Sequence, residues 1–215
     1  MKLALIFIAI VTAIAFTVFY FTADRSLGEP VDMPWQVQVI DAEHTRVFGV
    51  TLNQTTLEQA RQLFGQVDGI ALYRNADGRF SLEAYFGKVR FGYFSARLIA
   101  NLQANQQELE QLTQFAIKRI PKEDGSLRWT LNADKQAEQA TRLISALSYI
   151  PDYRGMDDDF IRQHFGEPAR RIKLDETSER WYYPDRGVRI LVDNEGKELF
   201  EYMPPAQFEM PPENP

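Results

Sequence analysis

A chain of 215 residues has room for one large or two small domains, and 45% hydrophobic, 13% aromatic and 25% charged residues is the composition of a folded protein. The net charge is −6 and no basic run is longer than Arg170-Arg171, so the electrostatic footprint of a nucleic-acid binder is missing and no DNA or RNA partner is expected. Without a single cysteine there can be no disulfide, thiolate nucleophile, Cys-based zinc site or lipidated cysteine.

In chain order, Leu3 to Phe21 is apolar or small except at Thr12, Thr17 and Tyr20. At about 1.5 Å per residue, a helix over this run spans roughly the 30 Å of a bilayer core. Residues 1–23 therefore read as an uncleaved signal-anchor that holds the chain to a membrane. The competing reading is a signal peptide cut at Ala13-Ile14-Ala15, which would leave the apolar Phe16 to Phe21 on the mature terminus. Lys2 before the segment, with Asp24, Arg25, Glu29 and Asp32 after it, favours the N-terminus inside. The expected location is the bacterial inner membrane, single-pass, with the C-terminal domain in the periplasm.

Residues 24–34 form a polar linker broken by Gly28, Pro30 and Pro34. A first α+β unit is expected over 35–131. Trp35, Val37 and Val39 alternate with Gln36 and Gln38 as a strand does, and Thr55-Thr56-Leu57-Glu58 reads as a capping box. Leu57, Ala60, Leu63 and Phe64 share one face of the helix that follows, and Gly65 ends it. Strand-like runs Ile70 to Tyr73, Arg79 to Phe86 and Val89 to Ile99, parted by Asn75-Ala76-Asp77-Gly78 and Gly87-Lys88, predict an antiparallel meander. A second helix is predicted from Asn105 to Ile120, stopped by Pro121, and a strand from Leu127 to Leu131.

A second unit is expected over 132–203. It opens with a helix from Asp134 to Leu147 that buries Ala137, Ala140, Ile144 and Leu147, and continues with a helix from Asp157 to Phe165, acidic at its start and closed by Gly166. Strands follow at Ala169 to Leu174, Glu179 to Tyr183, Val188 to Val192 and Lys197 to Tyr202, the last hairpin turning at Asp193-Asn194-Glu195-Gly196. The tail, 204–215, is Pro-rich and expected to be extended and mobile. The fold class read from these elements is α+β, an N-terminal transmembrane helix followed by two tandem units of short helices packed on antiparallel sheets.

Leu57 to Gly65 and Phe160 to Gly166 each give a short helix closing on Phe-Gly ahead of a meander, which implies an internal repeat. In the second copy, Gly155-Met156-Asp157-Asp158-Asp159-Phe160-Ile161-Arg162-Gln163-His164-Phe165-Gly166-Glu167-Pro168 resembles the "GMT…V…LLGxP" helix signature of the SmpA/OmlA, or BamE-like, outer-membrane assembly proteins. Trp181-Tyr182-Tyr183 and Val188 to Val192 fit its strands. The resemblance covers Ala133 to Met203, and Val47 to Leu102 more loosely. It implies a two-helix layer on a three- or four-stranded antiparallel sheet, in a tandem similar to β-lactamase-inhibitor proteins, and a role in binding other proteins.

Chemistry-bearing patterns are sparse. His44 and His164 stand in no metal-ligand spacing, and Asp157-Asp158-Asp159 sits where acids cap a helix and complement its dipole. Ser126 and Ser178 lack a nucleophile elbow or paired base, and the glycines are scattered at turns. No catalytic, cofactor or metal residues are predicted, and the chain does not read as an enzyme. Arg170, Arg171 and Lys173 offer charge for an acidic partner or anionic headgroups. Trp181 and Tyr183 offer aromatic surface, with core packing as the competing reading. The expected function is a membrane-anchored, extracytoplasmic protein-interaction module with an unidentified envelope protein as partner, an accessory factor in envelope or outer-membrane protein assembly. The alternatives are a small-ligand or cell-wall binding module, for which an aromatic-lined pocket between the units is needed, an inhibitor-like domain, and an enzyme of unrecognised type.

Overall fold

Two helices carry the repeat. In the computed structural model, which describes residues 33–212 other than 93, 123 and 154, α1 (Leu57–Phe64) is capped by Thr56. Its Oγ1 accepts from the Gln59 N–H at 3.3 Å while Gln59 Oε1 accepts from the Thr56 N–H at 2.9 Å. The predicted box lay one residue earlier. Thr55 is engaged in the preceding turn, where its Oγ1 accepts from the Thr51 N–H at 3.0 Å. The Asp157–Phe165 prediction is matched by a helix over Asp158–Phe165, capped by Asp157 Oδ1 on the Phe160 N–H at 2.9 Å. Gly65 and Gly166 end the two helices at φ +91° and +79°, each returning its N–H to the carbonyl four residues back, Arg61 and Arg162.

The two other predicted helices are cut short by strands. After α2 (Gln106–Leu112), capped by Asn105, a 3-10 turn leads into a strand over Ala116–Pro121. After α3 (Ala133–Ala137) and a 3-10 turn over Glu138–Thr141 comes a strand over Ile144–Pro151. The helix over Asp158–Phe165 is therefore α4. Ala137, Ala140, Ile144 and Leu147 share a helical face on paper. In the fold the Ile144–Pro151 segment is pinned between two strands that satisfy its N–H and C=O groups on both sides, and tertiary pairing overrides local propensity.

The strands are β1 (Gln38–Val39), β2 (Thr45–Val47), β3 (Val50–Thr51), β4 (Gly69–Arg74), β5 (Phe80–Phe91), β6 (Phe94–Leu102), β7 (Ala116–Pro121), β8 (Leu127–Leu131), β9 (Ile144–Pro151), β10 (Arg170–Lys173), β11 (Ser178–Tyr183), β12 (Val188–Asp193) and β13 (Leu199–Tyr202). The predicted turn at Gly87-Lys88 is instead a bulge within β5, absorbed by Gly87 at φ +67°. β1 to β3 form a small sheet. The other ten form a single antiparallel sheet in the order β10-β11-β12-β13-β9-β6-β5-β4-β8-β7.

This corrects the expected fold class. The two meanders, β4-β5-β6 and β10 to β13, do not sit on separate sheets. β9 bonds to β6 on one side and β13 on the other and fuses them into one sheet that dominates the described residues. The expected single-pass inner-membrane placement is corrected as well: among the described residues no helix is long and apolar enough to cross a membrane. The run on which that reading rested, Leu3 to Phe21, lies outside the described residues.

One face of the sheet is the core. Leu57 and Ala60 of α1, Leu109 and Leu112 of α2, and Ile161 and Phe165 of α4 join the inward side chains of the strands in a single cluster. α3 lies beside α1, with Ala137 and Leu57 lining one small cavity. The β1–β3 sheet contributes Val47, Val50 and Phe48, whose ring centroid lies 4.5 Å from Phe91 and 5.4 Å from Tyr149. Trp181, Tyr149, Tyr202, Phe91 and Phe200 are fully buried there, each worth roughly 2 to 3 kcal/mol of hydrophobic stabilisation.

Candidate interaction face and groove

Strand side chains alternate, so every residue between two core positions points to the other face of the sheet. The register carries one such outward row across eight strands: Arg170, Tyr182, Arg189, Glu201, Ser148, Ile99, Tyr85 and Gly69. Of the buried apolar side chains other than proline among the described residues, only Ala71, 4% exposed, and Tyr182, 5% exposed, stand outside the core cluster. Both are on this outward face, at opposite ends of the sheet.

At the β10–β12 end the cover is the chain's own tail. The 3-10 turn at Pro205–Gln207 is tied down by the Ala206 N–H donating to Ala42 O at 2.8 Å, and Phe208 sets its ring edge-on to Tyr182 at 6.3 Å. The Arg170 guanidinium then donates to the carbonyls of Pro211 at 2.7 Å and Pro212 at 3.0 Å. Burial opposes the charge of Arg189. Its two bonds to Glu201, at 2.7 and 3.0 Å, and the nearby Glu209 carboxylate outweigh that and hold its pKa above the ordinary value. The tail, expected to be extended and mobile, opens with this 3-10 turn and through Pro212 is docked on the sheet.

At the other end the outward face holds a groove of about 520 Å³. Its floor is low because β4 presents only Gly69 and Ala71 there, opposite Tyr85 and Glu83 of β5. Tyr73 and Tyr85 supply aromatic walls, with Ile99 and Ile150 beside them. Arg97, Lys122 and Arg128 supply positive charge, and none of the three enters an ion pair within 4.0 Å among the described residues. The Arg128 guanidinium stands 5.9 Å from the Tyr73 ring centroid, and its Nε–H is buried without an acceptor. Of the two carboxylates, Asp68 lies against Gly87 at the bulge. Glu83 is pushed above the ordinary carboxyl pKa by burial, against the opposing pull of the Ser81 hydroxyl at 3.1 Å and of Arg128.

The structure separates the residues singled out from the sequence. Trp181 is fully buried, its Nε1–H donating to Glu179 Oε2 at 3.1 Å, and Tyr183 is buried with its hydroxyl donating to Gly166 O at 3.1 Å. Both face the core and offer no surface. Arg171 is paired with Glu179 at 2.6 Å and stacks over the Trp181 ring at 4.4 Å. Lys173 lies beside Glu179 on the same strand pair, and Arg170 alone of the set reaches the outward face, where the tail occupies it. The sequence does not mark the groove, because Tyr73, Glu83, Tyr85, Arg97 and Ile99 are the wet half of each strand's alternation, which by itself signals only solvent.

His164 is clasped by Trp35 and Phe160, with ring centroids 4.2 and 4.1 Å away, and its Nδ1–H donates to Phe160 O at 2.9 Å. Among the described residues no group of three or more His, Asp or Glu side chains is arranged to hold a metal ion. Compared with known proteins, the chain matches no family model, no curated protein and no solved structure.

Proposed function

We propose that this chain is a protein-binding module that presents the uncovered half of its sheet, over β4, β5, β6 and β8, to a partner. The observation that carries the reading is the groove. It combines two tyrosines, three cations without an ion pair within 4.0 Å and a floor of small residues, on a face to which no helix among the described residues contributes a core side chain. Tyr and Arg dominate protein interfaces because they bring large, stiff contact area and directional hydrogen bonds at modest entropy cost. The resemblance of Gly155 to Pro168 to the SmpA/OmlA signature supports binding over chemistry.

A photo-crosslinking amino acid placed at Tyr85 tests this against the same group at Glu58, exposed on α1. The expected result is one discrete heterologous adduct from position 85 and none from 58. Equal labelling from both positions, or only uncrosslinked monomer from 85, overturns the reading.

A further inference from the structure

We infer that the partner reaches the groove as an extended acidic peptide, held by the tyrosines and cations of the outward face much as the opposite end of that face holds this chain's own tail. The inference rests on the partner-binding reading above and names the occupant.

The tail shows what this face can grip. Around the outward row, Tyr182 receives an aromatic ring, Arg170 donates to two successive proline carbonyls, and Arg189 stands in the field of a glutamate. The segment so held, Phe208-Glu209-Met210-Pro211-Pro212, is one that prolines keep extended, with few N–H donors of its own, so donors from the sheet face meet free carbonyls.

The groove offers the same ingredients at the far end of the row. Tyr85 is on that row, Tyr73 stands two residues along β4 from Ala71, and positive charge comes from Arg97, two residues along β6 from Ile99, and from Arg128, opposite Tyr73 on β8. It differs from the tail site in charge. Arg97, Lys122 and Arg128 have no carboxylate within 4.0 Å among the described residues, whereas Arg189 is satisfied by Glu201. Carboxylates on the incoming chain would supply what Glu201 and Glu209 supply under the tail, and the buried Arg128 Nε–H would gain an acceptor. The tail does not lie on the path to the groove, because it passes from Tyr202 at the end of β13 over β11 to β10, towards the opposite edge of the sheet.

Gly69 makes the idea testable without harming the fold. Its φ is not in the left-handed region, and a Cβ added there meets nothing within 4 Å, so Gly69→Ile raises the groove floor into open space with a residue suited to a strand. The probe is a fluorescent peptide of sequence QFEMPPE, identical to residues 207–213, alongside its charge-reversed form QFKMPPK, both titrated into the full chain with amide chemical shifts recorded. The acidic peptide is expected to bind with shifts centred on β4, β5 and β6. Its affinity should fall at least tenfold in Gly69→Ile and in Arg97→Glu, and fall as salt rises, while the basic peptide binds at least tenfold more weakly. Equal binding to wild type and Gly69→Ile, equal binding of the two peptides, or shifts centred on Tyr182 and Arg170 through displacement of the tail would each overturn the inference. A discrete crosslink from position 85 combined with no acidic-peptide binding would leave the partner-binding reading standing and remove this occupant. Failure of both experiments removes both.

Discussion

The outward face of the sheet has two ends built from the same kinds of side chain and left in different states. Over β10 to β12, Tyr182, Arg170 and Arg189 are covered by the tail, and their hydrogen bonds and charges are met within the chain. Over β4 to β6 and β8, Tyr85, Arg97 and Arg128 line an open groove, and neither arginine enters an ion pair within 4.0 Å among the described residues. The contrast teaches that burial of an aromatic side chain on a sheet says little about its role until its face is known. Trp181 and Tyr182 are adjacent and both buried, yet one is core and the other lies under the chain's own tail.

Truncation sharpens that contrast most strongly. Trp181→Ala removes a fully buried ring and should cost about 3 to 5 kcal/mol in denaturant unfolding, whereas Tyr85→Ala should cost about 1 kcal/mol or less. Equal losses would break the assignment of faces. Phe208→Ala comes next. Freeing the tail should cost about 1 to 2 kcal/mol and remove hydrogen-exchange protection at Ala206, without shifting amides in β4 or β5.

Titration separates the ends by sign. Glu83, in the groove, has its pKa raised by burial, so the folded state holds its proton more tightly and loses stability as pH rises above the ordinary value of 4.5. Glu83→Gln should therefore raise Tm at pH 7, with the gain vanishing below about pH 4. Asp175, in the turn between β10 and β11, is lowered to about 2, first by the Ser178 hydroxyl and then by the N–H groups of Thr177 and Ser178. Its contribution is present above its ordinary 3.8 and is lost as pH falls towards 2. Asp175→Asn should lower Tm at pH 7, with the effect shrinking as pH falls towards 2. Thermal melts across pH 2 to 8 check both, and effects of the same sign would refute the difference in environment. Smallest of all is Gly69→Ile, expected to change unfolding stability by no more than about 0.5 kcal/mol, since the added side chain enters open space.

Much of the framework was legible. The Asp157 cap, the Phe-Gly helix ends, the strands β4, β8 and β10 to β13 and the turn at Asp193 to Gly196 follow from local chemistry, because a carboxylate at an N-cap and a glycine at positive φ act within a few residues, while the capping box of α1 falls one residue from the expected Thr55. The errors fell where local and long-range demands disagree. Ile144 and Leu147 continue the helical spacing of Ala137 and Ala140, but the N–H and C=O groups of their segment are claimed by β6 and β13. Ala116 to Pro121 was read as the end of a helix and is an edge strand, with Lys118 and Arg119 suited to an exposed border.

For the site, the sequence singled out Arg170, Arg171, Lys173, Trp181 and Tyr183, of which the fold buries Trp181 and Tyr183, pairs Arg171 with Glu179 and covers Arg170 with the tail. Alternation along a strand is encoded in the sequence and determines which residues share a face. Which face the helices cover, and where distant strands line up to bring Gly69 beside Tyr85 and Arg170 beside Tyr182, depends on pairings between segments far apart in the chain, and only the folded sheet decides them.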